Sequence, residues 1–65
     1  MKLYVVVEED TVGARVEYVA STKELAETFV SENYAKELRW LMDGVYRCGS
    51  SIISIQESNL DAKPV

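Results

Sequence analysis

Residues 38–48, Leu-Arg-Trp-Leu-Met-Asp-Gly-Val-Tyr-Arg-Cys, decide how the second half of this 65-residue chain folds. Their leucines and methionine continue an apolar stripe that starts earlier in the chain at helical spacing. This spacing predicts a helix from residue 22 to about residue 43. Gly44 would end that helix at its C′ position, and residues 45–50 would form a loop.

The same stretch also has an alternative interpretation as a hairpin. Leu38–Met42 and Val45–Cys48 would then be two short strands, joined by a turn at Asp43 and Gly44. The long helix is our primary prediction, and the hairpin is the alternative that the residues leave open.

The start of the helix carries a more specific signal. Ser21 is followed three residues later by Glu24, as in a capping box, where each side chain bonds the backbone amide of the other residue. We therefore expect the helix to begin at this box. Apolar residues then follow at the spacing of an amphipathic helix: Leu25, Ala26, Phe29 and Val30.

Three segments have the alternating pattern of β-strands, namely residues 2–8, 14–20 and 51–57. Between the first two, residues 9–13 have the composition of a turn, in which Asp10 can form an Asx turn. The first strand is apolar on both faces, which indicates a central position in a sheet.

These elements predict an α+β fold in a single small domain over residues 1–57, with the element order ββαβ. The sheet would be antiparallel and three-stranded, in the order 2-1-3, with one long helix packed on one face. Residues 58–65 would be a frayed tail. The predicted core between helix and sheet consists of Leu3, Val5, Val7, Val16, Tyr18, Leu25, Phe29, Val30, Leu38, Ile53 and Ile55.

One helix leaves the other face of the sheet uncovered. On the predicted alternation this face carries Tyr4, Val6, Val19 and Ile52, although a solvated sheet face is usually polar. Such a patch is typical of an interaction surface, here for a homodimer or for another protein. The alternatives are that residues 35–50 fold over this face, or that the apolar residues are scattered without consequence.

A second candidate surface lies before the last strand. Arg39, Trp40, Tyr46 and Arg47 combine the residue types that most often anchor protein interfaces. The alternative interpretations are a second small core beneath a loop and stacking on nucleic-acid bases.

The composition excludes several classes of function. The chain has no histidine and one cysteine, which removes the commonest general base and any internal disulfide or multi-thiolate metal site. Eleven acidic and seven basic residues give a net charge of −4, the wrong sign for neutralising nucleic-acid phosphates. We therefore expect no catalytic residues, no cofactor, no metal and no direct nucleic-acid binding. We also expect no membrane span and no signal peptide, and hence a cytoplasmic protein.

Two features are compatible with chemistry but have simpler interpretations. Cys48 follows Arg47, but no histidine is present to act as its base, so a small buried hydrophobe is the favoured interpretation. The acidic run Glu8, Glu9 and Asp10 lacks further oxygen ligands and a glycine-rich loop, and it is typical of a solvated turn.

A regular acidic array could also imitate the phosphates of DNA and occlude the site of a nucleic-acid-binding protein. Lysine and arginine residues interleave with these acids, which favours an ordinary solvated surface. The candidates for such a DNA mimic are Glu8, Glu9, Asp10, Glu24, Glu27 and Glu32.

With these elements placed, the chain resembles small accessory proteins of bacteriophages and prophages with a ββαβ fold. The resemblance rests on the opening strand Lys-Leu-Tyr-Val-Val-Val-Glu at 2–8, the helix start Ser-Thr-Lys-Glu-Leu-Ala at 21–26, and the closing Ile-Ser-Ile-Gln-Glu at 53–57. It implies a non-enzymatic protein in the cytoplasm of a bacterial host. Such a protein would bind and modulate a host protein, for example as an inhibitor during host takeover, or would associate with itself.

Overall fold

The computed structural model describes residues 2–34 and 36–59, which form one antiparallel sheet and one helix. The sheet has five strands in the order β2-β1-β5-β4-β3, so the expected three-stranded sheet of order 2-1-3 is wrong. In chain order the elements are β1 (Lys2–Glu9), β2 (Ala14–Ala20), α1 (Lys23–Tyr34), β3 (Leu38–Met42), β4 (Val45–Cys48) and β5 (Ser51–Asn59).

The additional strands come from the stretch that was expected to extend the helix. α1 ends at Tyr34, and residues 38–48 form the hairpin that the alternative interpretation described. Asp-Gly is a strong hairpin signal, and Gly44 adopts the positive φ of 76° that such a turn needs. The Gly44 carbonyl accepts a hydrogen bond of 2.8 Å from the Ile55 amide, which fastens the turn to β5.

Both ends of α1 differ from the expectation. The Thr22 hydroxyl, not Ser21, caps the first turn, because Thr22 Oγ1 accepts from the Leu25 amide at 3.2 Å. Near the other end, the Ser31 hydroxyl and the Asn33 side-chain amide donate to backbone carbonyls four residues earlier. Such side-chain bonds compete with the helical pattern, which fits a helix that stops soon afterwards.

The first hairpin contains the predicted Asx turn. Asp10 Oδ1 accepts from the amides of Val12 at 2.8 Å and Gly13 at 3.1 Å, so this prediction is confirmed. The register between β1 and β2 shifts once, between Val6 and Val7. This shift adds a residue to β2, and the side chains before it face the opposite way from the predicted alternation.

The last strand is longer than predicted. β5 continues through Ser58 and Asn59, which pair with Leu3 and Lys2 of β1. The prediction of a frayed tail is therefore wrong for these two residues, and its remainder, 60–65, lies outside the described residues.

The core lies between α1 and one face of the sheet. Its fully buried members are Val6, Ala20, Ala26, Val30 and Ile53. The partly buried residues packed against them are Tyr4, Phe29, Tyr34, Leu38, Tyr46, Cys48 and Ile55.

The sequence pattern assigned the wrong face of β1 to this core. Val6 lies opposite Ile55, and Glu8 lies opposite Ile53. Because directly opposed residues share a face, the even-numbered side chains of β1 lie on the same side of the sheet as α1. Both faces of β1 are apolar, so only the register with β5 could decide between them. The side chains that face away from the helix are Leu3, Val5 and Val7.

The other core predictions divide. Val30 and Ile53 are buried as predicted, and the Tyr18 ring stacks on Phe29 with ring centroids 4.4 Å apart. Leu25 is 48% exposed, because the inward face of α1 is formed by the residues that follow it. Val16 is exposed since the register shift in β2 turns it to the far side of the sheet. Phe29, Leu38 and Ile55 pack against the core as predicted.

Candidate protein-interaction surface

The side of the sheet opposite α1 carries many apolar side chains, and we call it the open face. Cross-strand pairing defines its members, because Val5 lies opposite Val19, Val7 opposite Val16, and Met42 opposite Val45. The apolar side chains of the open face are Leu3, Val5, Val7, Val16, Val19, Met42, Val45 and Ile52.

These side chains form a nearly continuous row across the sheet. From β2 to β3 the row contains Val16, Val7, Ser54, Val45 and Met42. The residues at its two ends, Val16 and Met42, are 63% and 59% exposed. No helix or strand among residues 2–34 and 36–59 covers this side. Residues 38–48 extend the sheet instead of folding over it.

A row of charge borders the apolar row. Glu9 of β1, Ile52 of β5, Arg47 of β4 and Arg39 of β3 follow one another across the sheet. The two arginines are directly opposed like charges, an arrangement that destabilises a strand pair. Arg47 Nε donates to the Gly49 carbonyl at 3.1 Å. Within the described residues, neither arginine forms an ion pair, and the same holds for Glu9.

The structure places only half of the predicted open-face residues there. Val19 and Ile52 lie on the open face, and Val19 is 49% exposed. Tyr4 and Val6 do not, because the register of β1 turns them towards the helix, where Val6 is fully buried. Their predicted placement is wrong because the register of β1 with β5 differs from the predicted one, which also explains the errors in the predicted core.

The four residues of the second predicted surface are divided between the two sides of the sheet, with two residues on each side. Arg39 and Arg47 lie on the open face. Trp40 and Tyr46 oppose each other on the helix side, where Tyr46 packs against the core. Burial raises the pKa of the Tyr46 hydroxyl above its usual value. Trp40 is 68% exposed, since α1 packs over β1, β2 and β5.

Sequence reasoning missed most of the open face. Leu3, Val5, Val7 and Val16 were assigned to the core, and Val45 and Met42 were assigned to a loop and a helix. The Asp-Gly dipeptide was the available signal for the hairpin pair. No local signal distinguishes the two faces of β1.

The acidic residues are spread over several surfaces. Glu8 lies at the edge of the helix-covered face, where its Oε1 accepts from the Tyr34 hydroxyl at 3.3 Å and lies 3.5 Å from Arg15 Nη2. Asp10 is engaged in the first turn, and Glu9 belongs to the open face. The remaining candidates, Glu24, Glu27 and Glu32, lie on α1.

Among the described residues, Tyr34 has the most strongly shifted pKa. Burial, followed by the nearby carboxylates of Glu8 and Glu17, raises its pKa from 10.0 to about 12. The neutral hydroxyl is therefore favoured in the folded state, where it donates to Glu8.

The single thiol is in a setting that disfavours reactivity. Cys48 is half-buried against the core, and burial, with the nearby carboxylates of Glu37 and Glu8, raises its pKa. A raised pKa keeps the thiolate scarce at neutral pH. Among the described residues, no group of three or more cysteine, aspartate or glutamate side chains is arranged to hold a metal ion.

Comparison of the chain with protein-family models, curated proteins and solved structures found no match. In the described part of the chain, α1 is too short and too polar to cross a membrane.

Proposed function

We propose that this chain is a non-enzymatic protein-interaction module that binds another polypeptide through its open face. The observation that carries this proposal is the apolar row from Val16 to Met42 on a sheet side without a covering layer. An antiparallel sheet with one solvated face normally alternates apolar residues inside with polar residues outside. A contiguous apolar face is instead the mark of a contact surface.

The architecture supports a contact of this kind. A two-layer domain of this size buries only about 60% of the surface of its unfolded chain. Small domains commonly gain stability from a partner, a metal or disulfides. A single cysteine leaves no internal disulfide here, so a protein partner is the natural source of further burial.

The non-enzymatic part of the proposal rests on side-chain chemistry. The thiol of Cys48 has a raised pKa and no histidine to activate it. Glu8 is engaged by Tyr34 and Arg15, which is a structural arrangement at the edge of the core.

The resemblance to phage and prophage accessory proteins extends the proposal to a cellular setting. In that setting the module works in the cytoplasm of a bacterial host and modulates a host protein. The exposed Trp40, on the side away from the open face, offers a second contact that the open face does not use.

Site-specific photo-crosslinking in cells tests the open face. A photoreactive phenylalanine analogue is placed at Val16 or Met42, with exposed Thr28 on α1 as the matched control. We expect covalent adducts with a protein chain from the two open-face positions and none from the control. Adducts from all three positions alike, or from none, would contradict the proposal.

The DNA mimic stays as the alternative function, with less support. Its candidate acids lie on the open face, at the edge of the helix-covered face, in the first turn and along α1, so they do not share one surface. The two functions differ in their response to salt. Binding through carboxylates weakens steeply as salt is added, whereas apolar docking changes little.

A further inference from the structure

We propose that the occupant of the open face is a second copy of this chain, docked face to face about a two-fold axis parallel to β5. This inference rests on the proposed function, because it names the partner of the same surface. It is carried by the order of charges across the sheet and by the position of β5 in the middle of that order.

The charge row is complementary to itself. β5 is the central strand, with β1 and β2 on one side and β4 and β3 on the other. A two-fold axis along β5 lays the β4 side of one copy over the β1 side of its partner. Arg47 then meets the partner's Glu9, and Glu9 meets the partner's Arg47, so each copy contributes the same pair of contacts, as a two-fold interface requires.

The same operation matches the apolar row. Val7 of one copy lies over Val45 of the second copy, and Val16 lies over Met42. Ile52 and Ser54 of β5 lie on the axis and meet their own counterparts. Branched and flexible apolar side chains from two sheets interdigitate in this way in β-sandwiches, whose strand directions differ by about 30°.

The opposed arginines gain an explanation from this arrangement. Arg39 and Arg47 are neighbouring like charges without an ion-pair partner among the described residues. A carboxylate delivered from the second copy lies over Arg47, next to Arg39, and offsets the repulsion between the two arginines. Glu9, exposed and unpaired within the described residues, is the carboxylate that the two-fold axis delivers.

The available area is sufficient for a specific dimer. Five strands about 4.8 Å apart, with about six residues each at ~3.3 Å per residue, give a footprint of roughly 500 Å². Two such footprints give a total buried area of about 1,000 Å², which is the lower bound for a specific interface. The uneven surface of the side chains adds to this area.

Charge reversal tests the geometry. Within one copy, Glu9 and Arg47 lie on either side of β5, and no ion pair joins them. We expect Glu9→Arg alone, or Arg47→Glu alone, to raise the dimer dissociation constant about tenfold. The double variant restores each pair with reversed sign, and we expect its dissociation constant to return close to that of the parent chain.

Sedimentation equilibrium of the purified full chain over a wide range of concentrations measures these constants. Val16→Glu should shift the chain to monomer, while the matched Thr28→Glu on α1 should leave the dimer intact. Circular dichroism checks that each variant is folded. A monomer at millimolar concentration, a dimer that Val16→Glu does not weaken, or a double variant as weak as both single variants would each overturn the proposed dimer.

The failure of this inference can be distinguished from failure of the proposed function. Photo-crosslinks from Val16 to a different protein, with a monomeric purified chain, would refute the dimer and leave the interaction module standing. The absence of any protein adduct from Val16 and Met42 would refute both.

Discussion

Ile52 and Ile53 are identical side chains, adjacent in the same strand, and they lie on opposite faces of the sheet. Ile53 is fully buried beneath α1, whereas Ile52 lies on the open face between Glu9 and Arg47. Their hydrophobicity is the same, so composition does not explain the difference. The face on which the helix packs makes one residue part of the core and leaves the other for a partner.

The largest expected effect separates these two isoleucines. Ile53→Ala removes a fully buried side chain, which costs about 2–5 kcal/mol through lost burial and the cavity left behind. In a domain whose total stability is at the low end of about 5–15 kcal/mol, this loss removes a large share of the stability, so the variant should unfold at a much lower urea concentration than the parent chain. Ile52→Ala in the same strand should cost roughly 1 kcal/mol or less in the isolated chain.

Urea unfolding at a fixed chain concentration, followed by circular dichroism, measures both changes. A repeat at higher concentration adds a second distinction, because stability gained from a second copy depends on concentration. The Ile52→Ala effect should grow with concentration, and the Ile53→Ala effect should not. Equal losses for both variants at every concentration would show that the two faces are equally structural.

The second prediction concerns the hairpin that adds Val45 and Met42 to the open face. Gly44 has a φ of 76°, and a Cβ there would lie 3.5 Å from the Ile55 carbonyl oxygen, an ordinary contact. The cost of Gly44→Ala therefore comes from the backbone and amounts to about 1–2 kcal/mol. Asparagine tolerates the left-handed region better than alanine does, so Gly44→Asn should lose less.

Thermal unfolding of the three chains measures this order. Amide exchange sharpens it, because loosening of the turn should speed exchange at the Ile55 amide, which donates to the Gly44 carbonyl. An alanine variant as stable as the parent chain would mean that the turn does not hold the hairpin against β5.

The elements that local chemistry determines could be predicted from the sequence. The Asx turn at Asp10 follows from one side chain and the two amides that it reaches. The apolar β1 is an interior strand of the sheet, with β2 and β5 as its neighbours. For residues 38–48, the Asp-Gly turn and the helical stripe were competing signals, and the hairpin prevailed because β5 supplies a further strand for it to pair with.

The face assignment depended on longer-range structure. In β1 both faces are apolar, so alternation alone does not predict the register that pairs Val6 with Ile55 of a strand far away in the chain. In β2 one register shift reversed the side of Val16 relative to Tyr18. The existence of an open face with apolar residues was therefore predictable. Four of its residues, however, were wrongly predicted to belong to the core.

The smallest expected effect lies at the polar edge of the covered face, where Tyr34 donates to Glu8. Tyr34→Phe should cost about 1 kcal/mol at neutral pH, the usual net value of one hydrogen bond. The variant should also change the response to alkali, because burial and the neighbouring carboxylates raise the pKa of Tyr34 to about 12.

The direction of this pH effect on stability follows from proton linkage. The folded chain holds the Tyr34 proton more tightly than the unfolded chain, whose tyrosine has the ordinary pKa of 10.0. The resulting stabilisation is complete below pH 10 and is lost as the pH rises from 10 towards 12. Urea unfolding of parent and Tyr34→Phe chains across this range should show a steeper loss in the parent. Parallel losses would mean that Tyr34 is as free to ionise in the folded chain as in the unfolded one, and the covered face would then be open to solvent at this edge.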